Sequence, residues 1–169
     1  MAGKSGQGAL QLGRALGVAE KEVRLLEQTR ERLFRGKEAV DEAWVRRVAD
    51  DVELSERLEA FSSRFSRLQD TVMDKLLPRL LTSAGEAIGS AIDNLNRADR
   101  LGLVEKADEW VALRQLRNRL VHEYMEDAED FSTVLNQVLR LSVELVESVK
   151  RIKRFAEDRF GKDLRGASS

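Results

Sequence analysis

Apolar residues recur along most of the chain at steps of three and four, which places their side chains on one face of an α-helix. Each segment with this spacing carries one apolar stripe, the pattern of a helix that packs on one side. The pattern predicts an all-α fold, an up-and-down antiparallel helical bundle with four main helices and a shorter one. The predicted helices cover residues 10–34, 40–81, 86–100, 106–122 and 128–160.

The apolar stripes also predict which side chains are buried. In the first helix they are Leu12, Leu16, Val23, Leu26, Leu33 and Phe34. In the second they are Trp44, Val48, Val52, Leu58, Phe61, Phe65, Leu68, Val72 and Leu76. The third presents Ile88, Ile92 and Leu95 on one face. The last presents Phe131, Val138, Leu145, Val149, Ile152 and Phe155.

Proline, glycine and aspartate predict where these helices bend, begin and end. Pro78 predicts a kink near the end of the second helix, because proline lacks the N–H that a helix interior needs. Residues 82–85 are expected to form a loop, and Gly102 ends the helix that follows it. Asp127 or Asp130 is expected to cap the start of the last helix.

The 169 residues suit a single domain. The bundle is predicted over residues 10–160, whereas the polar segments 1–9 and 161–169 are expected to be disordered. Two of the predicted helices exceed about 30 residues, or about 45 Å, so their ends would extend past the rest of the bundle. These overhanging ends favour a homodimer or a higher even oligomer.

Composition and charge narrow the classes of function. Lys and Arg number 29 and Asp and Glu number 30, so the net charge of −1 excludes a globally basic nucleic-acid-binding protein but allows a local basic patch. The chain has no cysteine and one histidine, so we predict no metal site and no cofactor. No apolar run approaches the ~20 residues of a membrane span, and residues 1–17 lack the apolar core of a secretory signal. We therefore predict a cytoplasmic protein with no membrane partner.

The segment that carries chemistry is 109–127, EWVALRQLRNRLVHEYMED. On a helix, one side consists of Leu113, Leu116, Leu120 and Tyr124, and we predict that this side faces the core, as does Trp110. Asn118 and His122 share another face with Val111, flanked by Arg114, and Arg117 lies between the two faces. A second stripe of this kind on a bundle helix often marks an interface.

An arginine and a histidine on one helix suit phosphodiester chemistry. Histidine transfers protons near neutral pH, and arginine offers a planar fork of donors to phosphate oxygens. RNA carries its own nucleophile, the 2′-OH, so no metal is required. Because one histidine is too few for separate acid and base roles, two chains meeting along this helix would supply the pair. The alternative is that His122 only stabilises the end of its helix.

The motif Arg117-Asn118-x(3)-His122 resembles the Arg-polar-x(3)-His signature of the HEPN superfamily. With Glu123 and Tyr124 it resembles the Arg-x(4)-His-x-Tyr motif of the HepT subgroup. HEPN proteins are helical bundles, often dimeric, and many are metal-independent endoribonucleases. HepT toxins pair with a small MntA-type nucleotidyltransferase, an antitoxin that adds AMP to the motif tyrosine.

The resemblance extends over about residues 20–158. It includes the segments Phe65–Asp70 and Lys75–Pro78 on the second predicted helix, Asp93–Arg97, Leu101–Leu103 and the pair Glu109-Trp110. It implies that Arg117 and His122 are catalytic, that Asn118 supports them, and that Tyr124 is the residue modified by AMP. The alternative for Tyr124 is a packed aromatic side chain, because it falls on the core-side stripe.

Three further residues belong to the predicted site, each with an alternative. Asp70 is expected either to pair with Arg117 and support it, or to form an ordinary surface pair with Arg67 or Lys75. Arg114 and Arg119 are candidates for an RNA-binding patch. Their alternative is a solvated helix face.

The leading hypothesis is therefore an endoribonuclease toxin of a type VII-like HepT/MntA toxin–antitoxin system. It would cleave RNA, with tRNA as one candidate, at a composite site between two subunits. The alternative is a non-catalytic subunit that binds a nucleotide or a nucleotidyltransferase. A third hypothesis is a helical adaptor in which the motif has no chemical role.

Overall fold

The computed structural model describes residues 3–117, 120 and 127–165, and within these ranges it is helical and contains no strand. The α-helices are α1 (Gly3–Phe34), α2 (Glu42–Asp50), α3 (Val52–Asp70), α4 (Leu77–Ser83), α5 (Ala91–Arg100), α6 (Ala107–Leu116) and α7 (Ala128–Phe160). A π-helical turn, Thr71–Leu76, joins α3 to α4. The predicted all-α fold is confirmed as a helical bundle.

The first helix runs antiparallel to α3 and α4. Near the end of α1, Arg64 Nη1 donates a hydrogen bond to the Leu25 carbonyl, at 3.2 Å. Near its start, Arg79 Nη1 donates to the Gln11 carbonyl, at 3.4 Å. Residue numbers thus rise on one helix as they fall on the other.

The last helix also runs antiparallel to α1. Lys153 Nζ lies 2.5 Å from Glu20 Oε1, and Arg30 Nη1 donates to Ser142 Oγ at 3.3 Å. Helix α1 therefore shares one seam with α3 and another with α7.

The core is built from the predicted apolar stripes. Every stripe residue predicted for the first helix is buried, and in the last helix all are buried except Phe155, which is partly exposed. Asp127 caps α7 by accepting a hydrogen bond from the Asp130 N–H at 3.0 Å. Burial of these stripes is the main favourable contribution to folding.

The two ends of the bundle differ from the prediction. Helix α1 begins at Gly3 and not at residue 10, and Ala9 is buried, so residues 3–9 are helical. Residues 161–165 form turns, and Leu164 packs against the core. Helix α1 thus extends further towards the start of the chain than the apolar pattern predicts.

The predicted helix over residues 40–81 is broken at Asp51. This residue has extended dihedral angles, its N–H donates to the Val48 carbonyl, and its carboxylate accepts from the Leu54 N–H at 3.0 Å. It therefore ends α2 and caps α3. The break turns Val52 outwards, and Val52 is 72% exposed although its position in the stripe predicted burial.

The chain is helical on both sides of Pro78, where the sequence predicts a kink. The π-helical turn Thr71–Leu76 precedes it and leads directly into α4. A proline in a regular α-helix would collide with the carbonyl four residues earlier, here that of Asp74, and the wider π turn provides an alternative hydrogen-bond pattern.

The loop before α5 is longer than predicted. Helix α5 begins at Ala91 and not at residue 86, because Ser90 and Asp93 form a reciprocal capping box. Ile88 consequently precedes the helix and is 55% exposed, so its predicted burial is wrong. The predicted end of this helix at Gly102 is confirmed by its left-handed φ of 72°.

We expect the cap at Asp51 to contribute measurably to stability. Asp51→Ala should lower the free energy of unfolding by about 1 kcal/mol, because the Leu54 N–H loses its acceptor. Asp51→Asn should retain most of that stability. Urea denaturation is the measurement, with Asp50→Ala, an exposed neighbour at the end of α2, as the control. Equal losses in Asp51→Ala and Asp50→Ala would contradict the assigned role.

Candidate functional site

The described part of the site lies at the seam between α3 and α6. Arg117 follows the last residue of α6, and its N–H donates to the Leu113 carbonyl at 2.9 Å. The N–H of Leu120 in turn donates to the Arg117 carbonyl at 3.1 Å, and Leu120 is buried. The Arg117 backbone is thus hydrogen-bonded through both its N–H and its carbonyl.

The Arg117 guanidinium is held by three polar groups of α3. Nη1 donates to the Ser66 carbonyl at 3.0 Å and to Gln69 Oε1 at 3.2 Å. Nη2 donates to Asp70 Oδ2 at 3.0 Å, and Nη1 lies 2.8 Å from Asp70 Oδ1. The Arg117 side chain is only 15% exposed, whereas that of Asp70 is 41% exposed. These contacts fix the plane of the guanidinium.

Asp70 therefore contacts Arg117, which is one of the two pairings predicted for it. The same carboxylate also lies 3.3 Å from Arg114 Nη2. Its role in supporting catalysis stays a prediction.

Gln69 is a site residue that sequence reasoning missed. It is fully buried, and its Nε2 donates to the Trp110 carbonyl at 2.7 Å while its Oε1 accepts from Arg117. Both ends of the amide are therefore used, and they join α3 to α6. Its position four residues after Phe65, on the apolar stripe, could have indicated that this glutamine is buried. A polar residue on a buried face requires partners of this kind.

Trp110 is buried, as predicted, and anchors the start of α6. Its Nε1 donates to the Glu105 carbonyl at 3.1 Å, which satisfies the one polar atom of the indole.

Arg114 lies one helical turn before Arg117 and is paired with acidic groups. Nη1 donates to Asp74 Oδ1 at 3.0 Å, and this hydrogen bond raises the pKa of Arg114 above its ordinary value. Asp74 belongs to the π-helical turn. Two arginines thus face the two carboxylates of Asp70 and Asp74, and the positive charges at this seam are matched by negative ones.

Glu22 of α1 contacts the π-helical turn at Thr71. Its carboxylate is hydrogen-bonded to the Thr71 side chain, and its Oε2 is buried and has no hydrogen-bond partner among the described residues. Burial raises the pKa of Glu22, and the charge of Asp70 adds to that effect. The Thr71 hydrogen bond and the charges of Arg67 and Lys75 oppose it.

The remaining predicted site residues, Asn118, Arg119, His122 and Tyr124, lie outside the described residues. Within the described residues, no cluster of three or more His, Asp or Glu side chains has the arrangement of a metal site. None of the described helices is long and apolar enough to cross a membrane.

Comparisons of the chain with protein-family models, with curated proteins and with solved structures find no match.

The pair Asp70 and Arg117 is expected to be energetically coupled. In a double-mutant cycle with Asp70→Asn and Arg117→Gln, the coupling should be about 1–2 kcal/mol, because the guanidinium is largely buried. The exposed pair Glu42 and Arg46 on α2 is the control, with an expected coupling of about 0.3–0.5 kcal/mol. A coupling between Asp70 and Arg117 no larger than that of the control pair would show that the contact is only a surface ion pair.

The raised pKa of Glu22 predicts a pH-dependent stability. Above the ordinary value of 4.5 the folded state binds more protons than the unfolded chain, so stability falls as the pH rises through the folded-state pKa. Glu22→Gln should therefore be increasingly stabilised relative to the wild type as the pH rises from 4.5 to about 7. Chemical denaturation across that range tests this, with the exposed Glu31→Gln on the same helix as the control. A difference between Glu22→Gln and the wild type that is constant with pH would refute it.

Proposed function

We propose that the chain is a HEPN-type, metal-independent endoribonuclease, the cytoplasmic toxin of a type VII-like HepT/MntA toxin–antitoxin system. The observation that carries the proposal is the placement of Arg117, the first residue of the Arg-x(4)-His-x-Tyr motif. Three groups of α3 hold its guanidinium in one plane. A fixed cation is what electrostatic stabilisation of a transition state requires, since it needs no reorganisation during the reaction.

The proposed reaction uses the 2′-OH of the substrate as the nucleophile. Its oxygen attacks the adjacent phosphorus, the bond from phosphorus to the 5′-oxygen breaks, and the products carry a 2′,3′-cyclic phosphate and a 5′-OH. One His122 imidazole removes the proton of the 2′-OH, and a second protonates the leaving oxygen. Arg117 stabilises the negative charge on the phosphorane-like transition state, and Asn118 orients the imidazole or the substrate.

Because each chain has a single histidine, the proposal requires a homodimer or higher even oligomer in which two motif helices meet. The partner protein is an MntA-type nucleotidyltransferase that adds AMP to Tyr124. An AMP ester there places a phosphate beside the catalytic pair, where it competes with RNA for Arg117. RNA is the substrate, and tRNA is the candidate to test first.

A second candidate is a non-catalytic subunit that binds a nucleotide or a nucleotidyltransferase. The observation that favours it is the charge balance at the seam, since Asp70 and Asp74 match the charges of Arg117 and Arg114. A neutral seam attracts a polyanionic RNA less strongly than an unpaired cation would. This candidate predicts binding of the partner without cleavage of RNA.

Cleavage of RNA in EDTA by the purified protein distinguishes the two candidates. The wild type should cleave RNA and leave 2′,3′-cyclic phosphate ends, and His122→Ala should cleave at least about 100-fold more slowly. Arg117→Lys, which keeps the charge but loses the planar fork, should also be slow. Arg46→Ala, at an exposed residue of α2, is the control and should retain full activity.

Light scattering must show that the His122→Ala variant keeps the oligomeric state of the wild type, and intact mass must show that Tyr124 is free of AMP. Under those conditions, absence of cleavage by the wild type would favour the binding subunit. Cleavage by His122→Ala at the wild-type rate would exclude His122 as the acid or base.

A further inference from the structure

The seam between α1 and α7 contains an open groove. Its volume is about 520 Å³. Val23 of α1 and Val146 and Val149 of α7 form its floor. We call this feature the α1–α7 groove. It shares no lining residue with the seam that holds Arg117.

Gly17 lies in the α1–α7 groove at a position where the packing of the chain does not require glycine. A Cβ atom added there meets no other described atom within 4 Å. Glycine in a helix interior nevertheless costs about 0.5–1 kcal/mol relative to alanine. Its usual structural benefit is that it lets another backbone approach closely.

Gly13, one helical turn earlier on the same face, shows that benefit within this chain. A Cβ atom there would lie 2.2 Å from the carbonyl oxygen of Leu164, so the backbone after α7 approaches α1 directly. At Gly13, the backbone of the chain's own residue Leu164 covers α1. At Gly17, no described atom covers α1, so another backbone has room to approach there.

The rim of the α1–α7 groove is basic. Its cations are Lys21 and Arg24 on α1 and Lys150 and Lys153 on α7. Lys150 and Lys153 pair with Glu147 and Glu20 through side chains that are 41–55% exposed. Exposed pairs of this kind contribute only about 0–1 kcal/mol, so an incoming carboxylate can replace either partner. Lys21 and Arg24 have no ion pair within the described ranges.

We propose that the α1–α7 groove binds an acidic amphipathic helix of a partner protein. The apolar side of that helix would lie on the valine floor, its backbone would approach α1 at Gly17, and its carboxylates would pair with the basic rim. A groove between two long helices suits a third helix, with anchors at positions i, i+3, i+4 and i+7. The like charges of two basic rims oppose the pairing of this surface with itself.

The test uses a fluorescent synthetic helix about 18 residues long, with leucine on one face and glutamate on the other. Anisotropy titration of the full-length protein should show binding. The charge reversal Lys21→Glu with Arg24→Glu should weaken binding at least about tenfold. Gly17→Leu, which leaves the charge unchanged and fills the point of close approach, should weaken it similarly.

Three controls make the outcome specific. The charge-matched pair Arg32→Glu with Arg46→Glu, exposed on α1 and α2, should bind the peptide nearly as well as the wild type. A peptide with lysine in place of glutamate should not bind. Circular dichroism and thermal unfolding should show that the Gly17→Leu and charge-reversed variants are folded.

The proposal is overturned if the acidic peptide does not bind, or if folded Gly17→Leu and charge-reversed variants bind it like the wild type. It is also overturned if a single-stranded RNA or vesicles of anionic lipid bind at the basic rim and the peptide does not. Because the readout is peptide binding, this result does not depend on whether the protein cleaves RNA.

Discussion

A buried amide must satisfy both of its polar ends, and Gln69 does so by bonding to the Trp110 carbonyl and to the Arg117 guanidinium. This requirement determines the position of α6 relative to α3. Any shift between the two helices would leave a fully buried polar group without a partner, at a cost of about 1–3 kcal/mol. The orientation of Arg117 therefore depends on the packing of the core, and a guanidinium held in this way has few alternative rotamers.

The π-helical turn extends this arrangement along the seam. It follows Asp70 directly and carries Asp74, so the two carboxylates that contact Arg114 belong to segments with different helical geometry. Glu22 contacts the same turn from α1 through Thr71. Glu22 of α1 is therefore hydrogen-bonded to the segment beside the site. π-helical turns are often found at functional sites, which is consistent with the proposed role of this seam.

The parts of the fold that could be predicted from the sequence are those that depend on local pattern. The last helix, its apolar stripe and its cap at Asp127 follow from residues close together in the chain. The break at Asp51 was missed because the apolar stripe continues across it, and the start of α5 was missed although Ser90 and Asp93 have the spacing of a capping box. For the site, helical spacing indicates the face on which Arg117 lies but not the helix that faces it. For that reason the sequence does not determine whether Asp70 pairs with Arg117 or with a neighbour on its own helix, and it does not reveal the hydrogen bonds of Gln69 to α6.

The contact between Gly13 and Leu164 brings together segments that are separated by nearly the whole chain. During synthesis on a ribosome, α1 emerges long before α7. Helix α2 reaches α1 first, through the stacked rings of Phe34 and Trp44, and α3 follows. The side of α1 that packs on α7 therefore stays exposed to solvent until the last helix has left the exit tunnel. Until that moment the nascent chain presents an apolar strip, and chaperones that recognise such strips are the factors best suited to protect it.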